Sequence, residues 1–411
     1  MAPISLSFDL PTEITAGLAN GDLVRNGAVI QDQGGKIVTW LKETSGATDI
    51  APSALSSVDP TGVLRLGLQG VDTAVTQKKL AALGAQVSSL HNMAVLTSAT
   101  SILTLGVSIA GFALICKKIK HLEGRLKEVQ KTLTGVDEKI DLSFYSNFRA
   151  ALDLANNAFT MNDQSNRRSS ALQAIDRFLE AEHVYTDLTD KGLERKGQIG
   201  DEYLSTLCLA YLAETRCYLE LGEYETALRK FQEGKEQIRE RIEKYVDLLL
   251  TSDPTVYLRP ELKDDINLSR LTKIYQWKDP LSTESSVFEK MRENLYNLNE
   301  MPEDEVLSEL KFELWAKSLP ASIIEQKSIK RGFFGLKNES RKAILKQLPK
   351  AVAKMEEMIE TNQRFDSYKY EIKLLAKTKV PFSKWLSLKP SDAAPEGSNI
   401  IFLLPSQPLA L

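Results

Sequence analysis

The hydrophobic pattern along this chain is dominated by one uncharged stretch that passes directly into a regular heptad. Residues 80–116 contain no Asp, Glu, Lys or Arg, and residues 93–116 comprise 16 apolar residues, six Ser or Thr and two Gly. At about 1.5 Å per residue, a helix over residues 93–116 is long enough to cross the hydrocarbon core of a bilayer. The pattern therefore predicts a membrane-length helix in this segment.

Beyond this segment, apolar residues recur at alternating steps of three and four, which is the spacing of a coiled-coil seam. The predicted seam consists of Ile119, Leu122, Leu126, Val129, Leu133, Val136 and Ile140. We expect one long helix over residues 63–143, with the apolar span at 93–116 and the coil at 117–143. The same seam also suits a bundle within one chain, so the sequence leaves self-association and internal packing open.

Small and hydroxylated side chains follow one face of the predicted span. They are Thr97, Ser101, Thr104, Ser108 and Gly111. Small residues let helices approach closely in lipid, and hydroxyl groups form hydrogen bonds between helices. The face is therefore suited to contact between copies, or to lining a water-filled pore if several copies form a ring.

The N-terminal region has a β-type pattern instead. Residues 23–31 are rich in Val, Ile and Leu, residues 32–35 have the composition of a turn, and β-type residues alternate over residues 36–41. This order predicts a small β-hairpin region over residues 1–42. Residues 43–62 are rich in Ser, Thr, Ala, Pro and Gly, and we interpret them as a linker.

Helical periodicity covers most of the remaining chain. It predicts a helical domain over residues 144–250 and a second one over residues 287–380, joined by an irregular connection with three prolines at 251–286. Residues 381–411 are predicted to be an irregular tail in which residues 400–404 add one short strand beside the N-terminal hairpin. The expected fold class is mostly α: a long membrane-length helix continuing into a coiled coil, a bundle of helical hairpins and a small β-hairpin.

Residues 211–234 resemble one unit of the tetratricopeptide repeat. The positions that carry the resemblance are Tyr211, Tyr218, Gly222, Tyr224, Ala227 and Phe231. Glu214 stands where the repeat usually has leucine, and no proline closes the unit. The resemblance implies stacked antiparallel helices and protein binding through helical hairpins, whereas a generic helical hairpin with Gly222 at its C-cap is the alternative.

A second candidate for membrane contact is a basic, aromatic loop. Residues 327–350 carry eight basic residues and one acidic residue. The residues expected to contact lipid are Lys330, Arg331, Phe333, Phe334 and Lys337. Phenylalanines flanked by cations are suited to an anionic membrane surface. Capping of a neighbouring acidic element is the alternative.

Composition excludes several classes of function. With 52 basic and 55 acidic residues, the net charge of −3 gives no field that attracts nucleic acid. The three histidines and three cysteines are scattered along the chain without ligand spacing, so we predict no metal and no cofactor. No phosphate-binding glycine loop and no nucleophile motif occurs, so we predict that the protein is not an enzyme.

These patterns favour a membrane-anchored, self-associating scaffold that binds another protein through its helical region. Six basic residues lie between Lys117 and Val136, against two in the twenty residues before Met93, which predicts a cytoplasmic C-terminal part. The architecture also resembles the α-helical pore-forming toxins, without a shared motif. That resemblance implies a protein that stays soluble in the cytoplasm until a trigger inserts residues 93–116. A soluble helical binding module is the third possibility.

Overall fold

The computed structural model describes residues 12–43, 119–120, 123–124, 127, 143–194, 199–250, 257, 262, 265–299, 316, 319–320, 323, 331–332, 335–336, 343–378, 382 and 400–403. This part of the chain is mostly helical and includes a small antiparallel sheet, as the sequence predicted. Within it, no helix is both long and apolar enough to cross a membrane. Thr97, Ser101, Thr104, Ser108 and Gly111 of the predicted span lie outside the described residues.

The N-terminal region forms a sheet together with the C-terminal end of the chain. Helix α1 (Thr12–Asn20) is followed by strands β1 (Leu23–Asn26), β2 (Val29–Asp32) and β3 (Ile37–Glu43). Strand β6 (Ile400–Leu403) pairs antiparallel with β3, which places the strands in the order β1-β2-β3-β6. The predicted C-terminal strand beside the N-terminal hairpin is therefore confirmed.

The helical part is a series of successive hairpins closed by one long helix. Its elements are α2 (Ser143–Thr160), α3 (Gln164–Glu194), α4 (Gly200–Glu220), α5 (Tyr224–Leu250), α6 (Leu268–Lys278), α7 (Glu284–Asn299) and α8 (Leu348–Thr378). Each helix from α2 to α5 packs on the next, and α8 packs on α5. Helix α7 packs on α6, and α8 also contacts β1. The sheet thus lies against the last long helix of the bundle.

The single strand predicted over residues 23–31 is wrong, because the chain turns back in its middle. Strands β1 and β2 pair in register Asn26↔Val29, so that Gly27 and Ala28 form the connection. Gly27 has a φ of 58°, which is typical of the first position of a two-residue hairpin turn. A Cβ atom at Gly27 would lie 2.5 Å from the carbonyl oxygen of Gln363 in α8. Glycine therefore allows both the turn and the close approach to α8.

The connection predicted to be irregular over residues 251–286 contains helix α6. Asn267 precedes the helix in an extended conformation, and its side chain accepts a hydrogen bond from the backbone N–H of Arg270 at 2.8 Å. This N-cap satisfies one of the free donors at the start of the helix. The three prolines that suggested irregular structure all lie outside residues 268–278.

Aromatic side chains fill the core between neighbouring helices. The rings of Tyr145 and Tyr185 meet edge to face with centroids 5.4 Å apart, which joins α2 to α3. The rings of Phe231 and Phe365 stack with centroids 5.0 Å apart, which joins α5 to α8. Each buried aromatic of this size contributes on the order of 2–3 kcal/mol through burial alone. Helix α8 is therefore held in the same core as the helical hairpins.

Candidate functional site

The segment that follows the uncharged stretch docks on helix α2. Ile119 is fully buried and belongs to the same hydrophobic core as Tyr145 and Phe148 of α2. The carboxylate of Glu123 forms an ion pair with Arg149 of α2 at 3.2 Å and another with Lys127 at 2.7 Å. The chain therefore returns from the uncharged stretch directly onto the helical array.

Hydrophobic burial is the larger of the two contributions to this docking. The Arg149 and Lys127 side chains are 38% and 53% exposed, and ion pairs with such exposure contribute at most about 1 kcal/mol. Complete burial of an isoleucine contributes about 1.5–3 kcal/mol. At Ile119, then, the predicted seam packs within its own chain.

Self-association through the rest of the seam stays a prediction. The other positions, Leu122, Leu126, Val129, Leu133, Val136 and Ile140, lie outside the described residues. Ile119 and Glu123 are one helical turn apart and both face α2. Any contact between copies is therefore expected from the part of the seam beyond the docked turn.

The segment that resembles a tetratricopeptide repeat covers the second half of α4, the following turn and the first part of α5. Gly222 lies in the turn with a φ of 74°, and Ala227 and Phe231 on α5 are fully buried. Tyr211, Tyr218 and Tyr224 are half-buried. A Cβ atom at Gly234 would lie 2.4 Å from the ring of Tyr211, so a glycine at this position lets the two helices approach closely. Membership in the repeat family itself stays a prediction.

A buried pair of carboxyl groups joins α3 to α4. Glu182 and Glu214 are 6% and 0% exposed. Neither carboxylate oxygen of Glu214 meets an N–H or O–H donor among the described residues. Burial and the neighbouring Glu214 carboxyl raise the pKa of Glu182 to about 10, and burial also raises the pKa of Glu214. We infer that Glu182 is protonated at neutral pH and donates a hydrogen bond to Glu214.

Sequence reasoning missed this pair, although each acid occupies a core position of the helical pattern. Glu182 lies four residues after Phe178 and three before Tyr185, both of which are fully buried. Glu214 was recognised only as a departure from the leucine of the repeat. An acid at a position where the 3.6-residue period places apolar side chains is the local signal for a buried carboxyl.

A second buried polar cluster surrounds Lys354 of α8. Its ammonium group lies 3.2 Å from the carboxylate of Glu357 and 3.6 Å from that of Asp201 in α4. Burial disfavours the charged lysine, but the carboxylates of Glu357, Asp201 and Glu202 outweigh burial and raise the pKa. A lysine that keeps its proton is neither a general base nor a nucleophile, so the cluster holds α8 against α4 electrostatically.

A buried arginine connects the chain beyond α8 to the helical array. The guanidinium of Arg216 lies between two rings, 4.5 Å from the centroid of Phe159 and 4.2 Å from that of Phe382. It also forms an ion pair with Glu220 at 3.0 Å. Burial lowers the pKa of Arg216 to about 10, so it remains charged at neutral pH. These contacts fix Phe382 against α2 and α4 through cation–π attraction.

The basic, aromatic loop contains a short antiparallel hairpin. Strands β4 (Arg331–Gly332) and β5 (Gly335–Leu336) pair in register Gly332↔Gly335. Lys330, Phe333, Phe334 and Lys337 lie outside the described residues, as does the side chain of Arg331. Lipid contact by this loop therefore stays a prediction.

No group of three or more His, Cys, Asp or Glu side chains in the described part of the chain is placed to hold a metal ion. The geometry instead consists of a docked segment, buried carboxyl groups and buried cations that hold helices together. Comparisons with known protein families, curated proteins and solved structures find no match to this chain.

Proposed function

We propose that this protein is a membrane-anchored, self-associating helical scaffold that binds a protein partner through its helical hairpins. The observation that carries the proposal is the docking of Ile119 and Glu123 on α2. Ile119 follows the end of the uncharged stretch by three residues. Three residues span at most about 11 Å even when fully extended. The bilayer segment and the helical array are thus joined without room for a long linker.

The charged groups inside the array support binding rather than chemistry. Lys354 keeps its proton among carboxylates, and Arg216 is enclosed between two aromatic rings. Both groups join helices that are distant in sequence, and their charges are already paired. The array presents a surface of stacked helices to a partner. Helical-hairpin proteins recognise other proteins through surfaces of this kind.

The anchor is tested by alkaline carbonate extraction of the full-length protein from membranes. We expect it to stay in the membrane pellet, because residues 93–116 span the bilayer. Replacement of Leu103 and Ile109 by arginine places two charges in the span, each costing about 2.5–3.5 kcal/mol at the centre of a membrane helix. This variant should be extracted, whereas a Leu103→Val, Ile109→Val control should not.

A wild-type protein that carbonate extracts would contradict the anchor. If that soluble protein releases dye from anionic liposomes, the pore-forming alternative replaces the scaffold. In that case replacement of Ser101, Thr104 and Ser108 by leucine should abolish release, because those side chains would line the pore. Extraction without dye release would identify a helical binding module that does not need lipid.

Self-association is tested with charges in the seam beyond the docked turn. We expect replacement of Val129 and Val136 by lysine to convert the oligomer to a monomer, because like charges would face one another across the seam. Sedimentation in uncharged detergent measures the change, and Glu128→Lys beside the seam is the control. An oligomer that persists in the double variant would show that the seam packs only within the chain.

A further inference from the structure

A pocket of about 390 Å³ opens between Lys120 and helix α2. The polar side chains that line it are those of Lys120, Ser146, Arg149 and Asp153. Two cations and one carboxylate line it, and the Glu123 carboxylate pairs with Arg149 beside it. The volume lies within the range of small-ligand pockets, and it is sufficient for a phosphate group with its substituents.

The donors of the pocket are arranged around Arg149. Its guanidinium is held from two sides, by the Glu123 carboxylate at 3.2 Å and by the Ser146 hydroxyl oxygen, which accepts a hydrogen bond at 3.3 Å. A guanidinium has five N–H donors, so donors remain for a ligand, and the Ser146 hydroxyl keeps its own proton to donate. Lys120 is exposed and has no ion-pair partner among the described residues.

The position of the pocket along the chain indicates the source of the anion. Lys120 follows Cys116, the last residue of the uncharged stretch, by four residues. Four residues span about 6 Å as a helix and at most about 14 Å when extended. The headgroup layer extends about 5–8 Å beyond each face of the hydrocarbon core. If residues 93–116 span the bilayer, the pocket lies at the level of the phospholipid headgroups.

We propose that this pocket binds the phosphate headgroup of an anionic phospholipid in the bilayer that anchors the chain. Lys120 and Arg149 pair with the phosphate oxygens, and the Ser146 hydroxyl donates a hydrogen bond to one of them. Asp153 limits the net charge of the site, which favours a single phosphate over a polyanion. The inference rests on the proposed anchor, because the anchor places the pocket beside lipid.

The experiment measures the thermal stability of the full-length protein in uncharged detergent micelles with added phosphatidylglycerol or phosphatidylcholine. Ligand binding to the folded state raises Tm as ligand is added. We expect phosphatidylglycerol to raise Tm more than phosphatidylcholine does. Replacement of Lys120 by alanine, alone and together with Arg149→Ala, should reduce the apparent affinity about tenfold for each charge removed. An Arg177→Ala, Lys244→Ala variant is the charge-matched control and should keep the full rise.

Apart from the absence of any lipid-dependent rise in Tm, two results would overturn the proposal. One is a lipid-induced rise in Tm that both pocket variants retain. It would indicate that the lipid binds at another site, for example the loop at Lys330 and Arg331. The other is an equal rise with inorganic phosphate at the same concentration and ionic strength, which would identify a site for free phosphate. Carbonate extraction reports on the anchor separately. If the protein resists extraction but its Tm does not rise with lipid, the anchor is supported and the pocket is not a lipid site.

Discussion

Replacement of Glu360 by glutamine is expected to lower the free energy of unfolding by about 3–5 kcal/mol, because it removes the carboxylate that pairs with two buried arginines. Glu360 of α8 lies between two arginines, with Arg25 of β1 at 2.5 Å and Arg364 at 2.9 Å. The side chains of Arg25, Glu360 and Arg364 are 6%, 0% and 1% exposed. Urea denaturation measures the change, and Tm should fall by roughly 10 °C in a domain of this size.

The matched comparison is replacement of Arg25 by methionine. The three side chains carry one negative and two positive charges, so removing Arg25 leaves the Glu360–Arg364 pair balanced. Removal of one partner of a buried ion pair is costly when the other charge loses its counter-charge, and here Glu360 keeps Arg364 as a partner. We therefore expect a loss far smaller than that of Glu360→Gln. Equal losses in the two variants would show that contact area, and not charge balance, holds β1 to α8.

Replacement of Glu182 by glutamine is expected to stabilise the protein at neutral pH by up to about 3 kcal/mol. In wild type the pKa of Glu182 rises from 4.5 in the unfolded chain to about 10. The folded state therefore binds a proton that the unfolded state releases, and this contribution to stability is complete below pH 4.5. It decreases as the pH rises toward 10, at about 1.4 kcal/mol per pH unit. Glutamine donates the same hydrogen bond to Glu214 without taking up a proton.

The measurement is urea denaturation of wild type and Glu182→Gln at pH 5 and pH 8. The gain in the variant should be small at pH 5 and large at pH 8, because only wild type must bind the proton. The groups that face the pair are Glu214 on α4 and Lys230 and Glu233 on α5, and they are present in both proteins. Glu180→Gln, in an exposed ion pair with Arg177 on the same helix, is the control. A gain that is equal at both pH values would contradict a protonated Glu182.

The elements that the sequence predicted are those with strong local signals. The helical pair around Gly222 was expected because apolar residues recur at helical spacing on both sides of a glycine. Strand β6 was expected from its run of Ile, Phe and Leu. Its place beside the hairpin was expected because two strands alone are only marginally stable in water. The predicted absence of catalysis, the membrane span and the coil remain predictions.

Elements with weak or short signals were missed. Helix α6 depends on the N-cap of Asn267, which was overlooked beside three prolines. The turn between β1 and β2 has Gly27 at its first position as its local signal, but the apolar residues on either side suggest one continuous strand. The sequence alone does not decide the docking of Ile119, because a seam of this spacing packs equally well on another copy or on its own chain.

The sequence by itself determined the mostly helical class, the uncharged stretch and the apolar faces of the helices, since each is a periodic property of neighbouring residues. Only the tertiary structure decided which polar side chains are buried and with which partners. Arg25 and Glu360 are 335 positions apart in the chain and meet because β1 packs on α8. Burial between α3 and α4, together with the neighbouring Glu214 carboxyl, raises the pKa of Glu182. Burial and charge pairing arise from contacts between distant segments, so local sequence does not specify them.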